Sequence, residues 1–255
     1  MTEDRPFRAI DAIVVIATVF VLQVLMGLAI PPNLPSHVQG ILAGVGTVAG
    51  LAAGIWMRRK SLRSVLALGR FTPALAFWTV FGTAGLCLVI LSFQQSILDL
   101  FPRAKPELDK LDLEIRTYPA SVLLLMIVVM APLIEEALFR GVVLRGLRSS
   151  WGVVAGLLLS SALFGLIHGI APRILITFFV GLWLGSLFLK SGGLAIPILG
   201  HFFYNGLVLV LGFSGLLYPP IPFALPGALA VLLASWRLFG SRTRSVQGSA
   251  APGPS

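Results

Sequence analysis

The sequence predicts an all-α, polytopic integral membrane bundle of about eight transmembrane helices. Three observations carry that reading. Of the 255 residues, 57% are hydrophobic and only 11% are charged, whereas a soluble domain is about 45–50% apolar and about 25% charged. Mean hydropathy is +0.95. The apolar residues fall in long runs of roughly the 20 residues that a helical span needs, punctuated by Pro, Gly and basic residues.

In chain order, the runs place spans at residues 9–30, 38–57, 73–98, 119–139, 152–168, 173–190, 194–216 and 221–239. The first follows an acid-containing start and is long enough to cross, so it reads as an uncleaved helix and not a signal peptide. The fifth and sixth are short for a span and are expected to tilt or to cross in part. The last contains Pro222 and Pro226. Residues 99–118, DLFPRAKPELDKLDLEIRTY, are the one long polar segment. They suit a solvated loop or a short amphipathic helix on the membrane surface equally well. The chain thus divides into a three-span region with its polar loop (1–118), a core (119–210), a last span (211–240) and a tail (241–255). The tail is rich in Ser, Pro and Gly and is predicted to be disordered. Its end, APGPS, is no prenylation signal.

The net charge of +9 reflects topology. With the N-terminus cytoplasmic, Arg5, Arg8, Arg58, Arg59, Lys60, Arg63, Arg70, Arg140, Arg145, Arg148, Lys190, Arg237, Arg242 and Arg244 fall inside, 14 of the 19 basic residues. Arg103, Lys105, Lys110, Arg116 and Arg173 fall outside. The asymmetry puts both termini in the cytoplasm. The basic residues are scattered at span ends and not clustered with aromatics, which argues against a nucleic-acid partner. The single cysteine, Cys87, lies in an apolar run and reads as a small buried hydrophobe. His37 sits beside a turn and is given no role.

Ionisable residues inside a span are costly and mark function by default. Here they fall in three places in the C-terminal half. The first is EEALFR, residues 135–140; Glu135 and Glu136 are the only side-chain carboxylates from residue 115 onward. Glu136 and Arg140 are four apart and share a helix face. Glu135 is rotated about 100° away, so Arg140 cannot easily serve both. Pro132, just upstream, should kink or loosen the helix. The second is FGLIH, ending at His168, and the third is HFFYN, from His201 to Asn205. If the three faces converge, they make a Glu/His/His/Asn cluster in a low-dielectric cavity. A carboxylate there suits general acid–base work, and the histidine and amide can donate to an oxyanion. Glu135, His168 and His201 can equally be read as the ligands of a catalytic zinc with water in the open position. The chain has no H-E-x-x-H zincin motif. Taken singly, a Glu–Arg pair or a lone histidine in a span is more often structural.

The three elements, in this order on successive helices, resemble the signature of the CAAX protease and bacteriocin-processing (CPBP, or Abi) family, which includes the type II CAAX prenyl endopeptidases. EEALFR is similar to its E-E-x-x-x-R, FGLIH to its F-x-x-x-H, and HFFYN to its H-x-x-x-N. The resemblance covers about residues 119–210 and makes that segment the catalytic core. It implies an intramembrane endopeptidase that cleaves a membrane-embedded or lipidated substrate. Glu135 is then the base that activates water, helped by His168. Glu136 and Arg140 orient it, and His201 and Asn205 stabilise the oxyanion or help to bind a metal. The mechanism stays open between a metalloprotease and a metal-free glutamate protease. Two rival readings use the same residues: a non-catalytic membrane scaffold or immunity protein, and a proton-coupled transporter. The transporter is disfavoured because carriers tend to repeat polar broken helices in both halves, and here they all lie in one. The cytoplasmic end of the EEALFR span suggests a site that opens to the cytoplasm.

Overall fold

The structure is a computed structural model that describes residues 6–214 and 221–239. The predicted disordered tail, 241–255, lies outside the described residues. The chain is all-helical over the described residues and folds as a polytopic bundle. Its elements are α1 (Ala9–Ala29), α2 (Ser36–Met57), a single turn α3 (Leu62–Val65), α4 (Pro73–Leu100), α5 (Lys105–Arg116), the helical run α6 (Ala120–Leu166), α7 (Ala171–Ser191), α8 (Ala195–Ser214) and α9 (Ala224–Phe239).

Six of these are long and apolar enough to cross a membrane, and α9, at 16 residues, is shorter. The 47-residue α6 is not one straight rod. Gly152 has φ 86° and ψ 171°, a conformation only glycine adopts at little cost. There the chain folds back as two antiparallel arms, 120–151 and 153–166. The Ser160 hydroxyl on the second arm donates to the Phe139 carbonyl on the first, 3.1 Å away. A Cβ on Gly156 would lie 2.7 Å from the Arg148 backbone. This corrects the expected fourth span, which stops at residue 139. The helix runs on to Gly152, because 140–151 contains no proline and its apolar residues keep helical spacing. Arg140, Arg145 and Arg148 are therefore helical, and Arg140 cannot count as a loop charge.

Close packing of α1 on α2 follows from glycine spacing. Gly46, Gly50 and Gly54 recur every four residues and form one stripe. A Cβ on Gly50 would sit 2.7 Å from the Val19 Cα, and one on Gly54 2.8 Å from the Val15 Cα. Small residues allow such backbone approach where lipid supplies no hydrophobic drive between helices. Gly50→Leu is expected to destabilise the protein by about 1–3 kcal/mol through overpacking; a lower unfolding midpoint in detergent checks it.

The sequence reading puts every ionisable span residue in the C-terminal half. The structure adds Asp11, buried in the first turn of α1. It accepts from the Arg8 backbone N–H at 2.8 Å and pairs with Arg58 at 2.7 Å and Lys60 at 3.2 Å. The pairs tie the start of α1 to the end of α2. Nearby, Arg145 donates to the Ser64 carbonyl, and the 67–70 loop pairs with the 191–195 loop through Arg70 N–H to Ser191 and Leu194 N–H to Ala67. The basic loops thus gather at one end of the bundle, and α5 lies at the other. The polar segment 99–118 contains a real helix, α5, with no buried residue and an Arg116–Asp112 pair at 2.8 Å. Large apolar side chains stay exposed on the bundle surface, including Phe20, Leu28, Trp56 and Leu225, as lipid contact requires. The molecule is a multi-pass membrane protein.

Candidate active site

The first arm of α6 carries the carboxylates and is wound unevenly. Leu124–Met130 and Ala137–Leu144 are π-helical, and the α-helical turn Ala131–Glu136 lies between them. Such wide turns recur at functional sites. The loosening expected at Pro132 is seen on its N-terminal side. The Ala131 N–H reaches back five residues to the Met126 carbonyl. Pro132 has no N–H to continue that ladder.

Glu136 and Arg140 form the expected pair at 2.9 Å, with side chains 0% and 1% exposed. Arg140 is held twice more. It donates to the Gly181 carbonyl of α7 at 3.0 Å, and its guanidinium lies 4.5 Å from the centre of the Phe164 ring. A buried guanidinium needs this many partners to offset its lost hydration.

His201 of α8 lies between the two carboxylates. Its Nδ1 is 2.8 Å from Glu136 Oε1, and its Nε2 is 3.8 Å from Glu135 Oε2. Arg140, Glu136, His201 and Glu135 therefore form a continuous chain across two helices. Arg140 and His201 both engage Glu136 Oε1, and its buried Oε2 has no hydrogen-bond partner among the described residues. Glu135 is the exposed end, at 22%.

His168 lies in the turn between the second arm of α6 and α7, partly accessible. Its Nδ1 is 2.9 Å from the Phe164 carbonyl. A carbonyl only accepts, so Nδ1 carries the proton and Nε2 is left as an acceptor. Phe164 is the hub of the cluster: its ring lies 5.2 Å from His168, 5.7 Å from His201 and 5.3 Å from Phe139, all edge-on. The phenylalanine of FGLIH is a packing template whose part the spacing alone did not disclose.

The amide Nδ2 of Asn205 donates to the Ile127 carbonyl at 2.8 Å. Glu135, Glu136, Arg140 and His201 are thus brought together, His168 stands beside them across Phe164, and Asn205 is tied to the backbone of the first arm. Arg173 was placed in an outside loop. It is the third residue of α7 and is partly buried, close enough for its charge to act on both Glu135 and His168. Its position five residues after His168 is the signal that could have found it.

Among the described residues, no group of three His, Cys, Asp or Glu side chains is arranged as a ready-made metal site. His168 and His201 each commit Nδ1, to the Phe164 carbonyl and to Glu136, which leaves Nε2 of each imidazole on the free side, as in a ring oriented to ligate a metal.

A cavity of about 470 Å³ opens beside this cluster, lined by Phe101, Arg103 and Glu107 near the start of α5 and by Gly169 to Ala171. None of Glu135, Glu136, His168 and His201 lines it. Continued to Gly152, the first arm sets Glu135 mid-helix and not at the basic end.

A curated protein of Escherichia coli, described as "Uncharacterized 24.3 kDa protein", is 37% identical over 115 residues, which is 43% of this chain and 52% of that protein. The chain spans about half the length of the curated relative it matches. No solved structure matches this chain. Residues 117–207 match the family described as "Type II CAAX prenyl endopeptidase Rce1-like". Glu135, Glu136, Arg140, His168, His201 and Asn205 all lie within that match, and it is through this segment that the chain is similar to the Rce1-like CAAX proteases.

Proposed function

We propose that this protein is an intramembrane endopeptidase in which Glu135, assisted by His168, activates water without a metal ion. One observation carries the reading: in the buried chain Arg140–Glu136–His201–Glu135, only the Glu135 end is accessible, and the acceptor-ready His168 packs on the same Phe164 ring as His201. Water between Glu135 and His168 gives up a proton as its oxygen attacks the peptide carbonyl. The proton passes to the leaving nitrogen as the C–N bond breaks, giving a carboxylic acid and an amine, which exchange the remaining proton to become a carboxylate and an ammonium. Glu136, fixed by Arg140, orients the imidazole of His201. Held at Nδ1, His201 turns Nε2 to the Glu135 side, where an N–H would stabilise the oxyanion. If an ion binds, Glu135, His168 and His201 are the residues that would hold it; the metal-free reading expects activity to survive a chelator, and loss of cleavage on chelation with recovery on added zinc overturns that part.

The family match supports a lipidated or membrane-embedded polypeptide as substrate, and the positive-inside count supports cytoplasmic termini. The test is a comparison of new protein N-termini in cells that express wild type or Glu135→Gln at matched levels. Cleavage products present only with wild type support the protease and name its substrates. No difference between the two, with both proteins folded, favours a non-catalytic scaffold on the same fold.

A further inference from the structure

The Ile127 carbonyl is the acceptor that the next rung of the wide ladder would use. The rung before it runs from the Ala131 N–H to the Met126 carbonyl, five residues back. The following rung belongs to Pro132, which has no N–H to give. A carbonyl left unpaired inside a membrane bundle costs free energy. Here the missing donor comes from another helix: Asn205 Nδ2 lies 2.8 Å from the Ile127 oxygen.

Asn205 is one turn beyond His201 on α8. The first arm of α6 and α8 meet at two polar points, His201 to Glu136 and Asn205 to Ile127. The two helices run antiparallel, since the higher-numbered residue on α8 meets the lower-numbered one on α6. Two such points fix the sliding and rotation of α8 against the segment that carries Glu135 and Glu136. We infer that Pro132 and Asn205 are one device: the proline opens a backbone acceptor, and Asn205 fills it to position His201 against the carboxylates. Asn205 is then a positioning residue that acts through the backbone and not through the reacting oxygen. This rests on the protease reading for its catalytic consequence and not for its structural part.

The test is a double-mutant cycle on the full-length protein in detergent, over wild type, Asn205→Ala, Pro132→Ala and the double variant. Cleavage of an internally quenched peptide with a farnesylated cysteine and a three-residue C-terminal extension is read per folded molecule, beside the unfolding midpoint. In the Pro132 background, Asn205→Ala is expected to lower kcat by at least about tenfold with little change in KM. In the Pro132→Ala background, where the backbone N–H returns, the same change is expected to cost under about threefold, because the two residues serve one bond. The drop in unfolding midpoint is expected to shrink likewise. Pro132→Leu restores the same N–H and serves if the alanine variant does not fold. Equal losses of kcat in both backgrounds overturn the inference and make Asn205 a direct contact of the reacting group. An unchanged kcat per folded molecule also overturns it, leaving Asn205 as helix glue. If wild type cleaves nothing, the protease reading fails for this substrate class, and the midpoints decide the coupling: non-additive drops uphold it and additive drops overturn it.

Discussion

Glu135→Gln is expected to lower kcat by about 10²–10⁴-fold, the range typical of general acid–base groups, while the protein accumulates and unfolds as wild type does. The two parts of that result have separate physical origins. The amide is nearly isosteric with the carboxylate but cannot take the proton of an attacking water. The fold does not depend on the Glu135 charge, because the Arg140 ion pair is made to Glu136. Among the described residues, Glu135 meets the buried network through His201 Nε2, at the long distance of 3.8 Å. Single-turnover cleavage of a substrate found by the N-terminus comparison, read with the unfolding midpoint, checks both parts. Cleavage within about twofold of wild type would remove Glu135 from the base role. The neighbouring change Glu136→Gln should behave differently, with loss of stability as well as of activity, since that carboxylate is wholly buried and engaged by both Arg140 and His201.

Arg140→Ala has the largest expected effect on stability. Removing one partner of a fully buried ion pair costs about 3–5 kcal/mol, because the remaining charge is stranded in low dielectric. The change also strips a donor from the Gly181 carbonyl and a cation from the face of Phe164. The Phe164 ring touches both histidines, so the loss is expected to loosen the whole cluster. Arg140→Lys should recover little: a single ammonium lacks the planar fork that reaches Glu136 and Gly181 together. The measurement is the unfolding midpoint in detergent together with the fraction of monodisperse protein. A wild-type midpoint for Arg140→Ala would refute the energetic role of the pair.

Much of this architecture is legible in the residues alone, because a membrane restricts the choices. Backbone groups in lipid must be bonded within the chain's own helices, so long apolar runs dictate helices, and a Glu–Glu pair in such a run stands out. The four-residue spacing of Glu136 and Arg140 identifies their pairing, since that distance is set within one helix. Local signals failed where two elements had to be weighed together. The length of the first arm of α6 depended on where the chain folds back, and apolar spacing through 140–151 said nothing of the positive φ at Gly152. Asp11 was passed over because its partners, Arg58 and Lys60, come from the far end of the next helix.

The site follows the same division. Residue types and spacing within each helix were enough to single out Glu135, Glu136, Arg140, His168, His201 and Asn205. They could not say which carboxylate stays accessible, which nitrogen of each histidine is committed, or what Asn205 bonds. Those answers rest on contacts between helices far apart in the chain, such as His201 with Glu136 and Asn205 with Ile127. Periodicity along one helix fixes a face, but the face's partner depends on how all the helices pack. Glu136 became the buried, paired carboxylate and Glu135 the accessible one only when α7 and α8 closed over the first arm of α6.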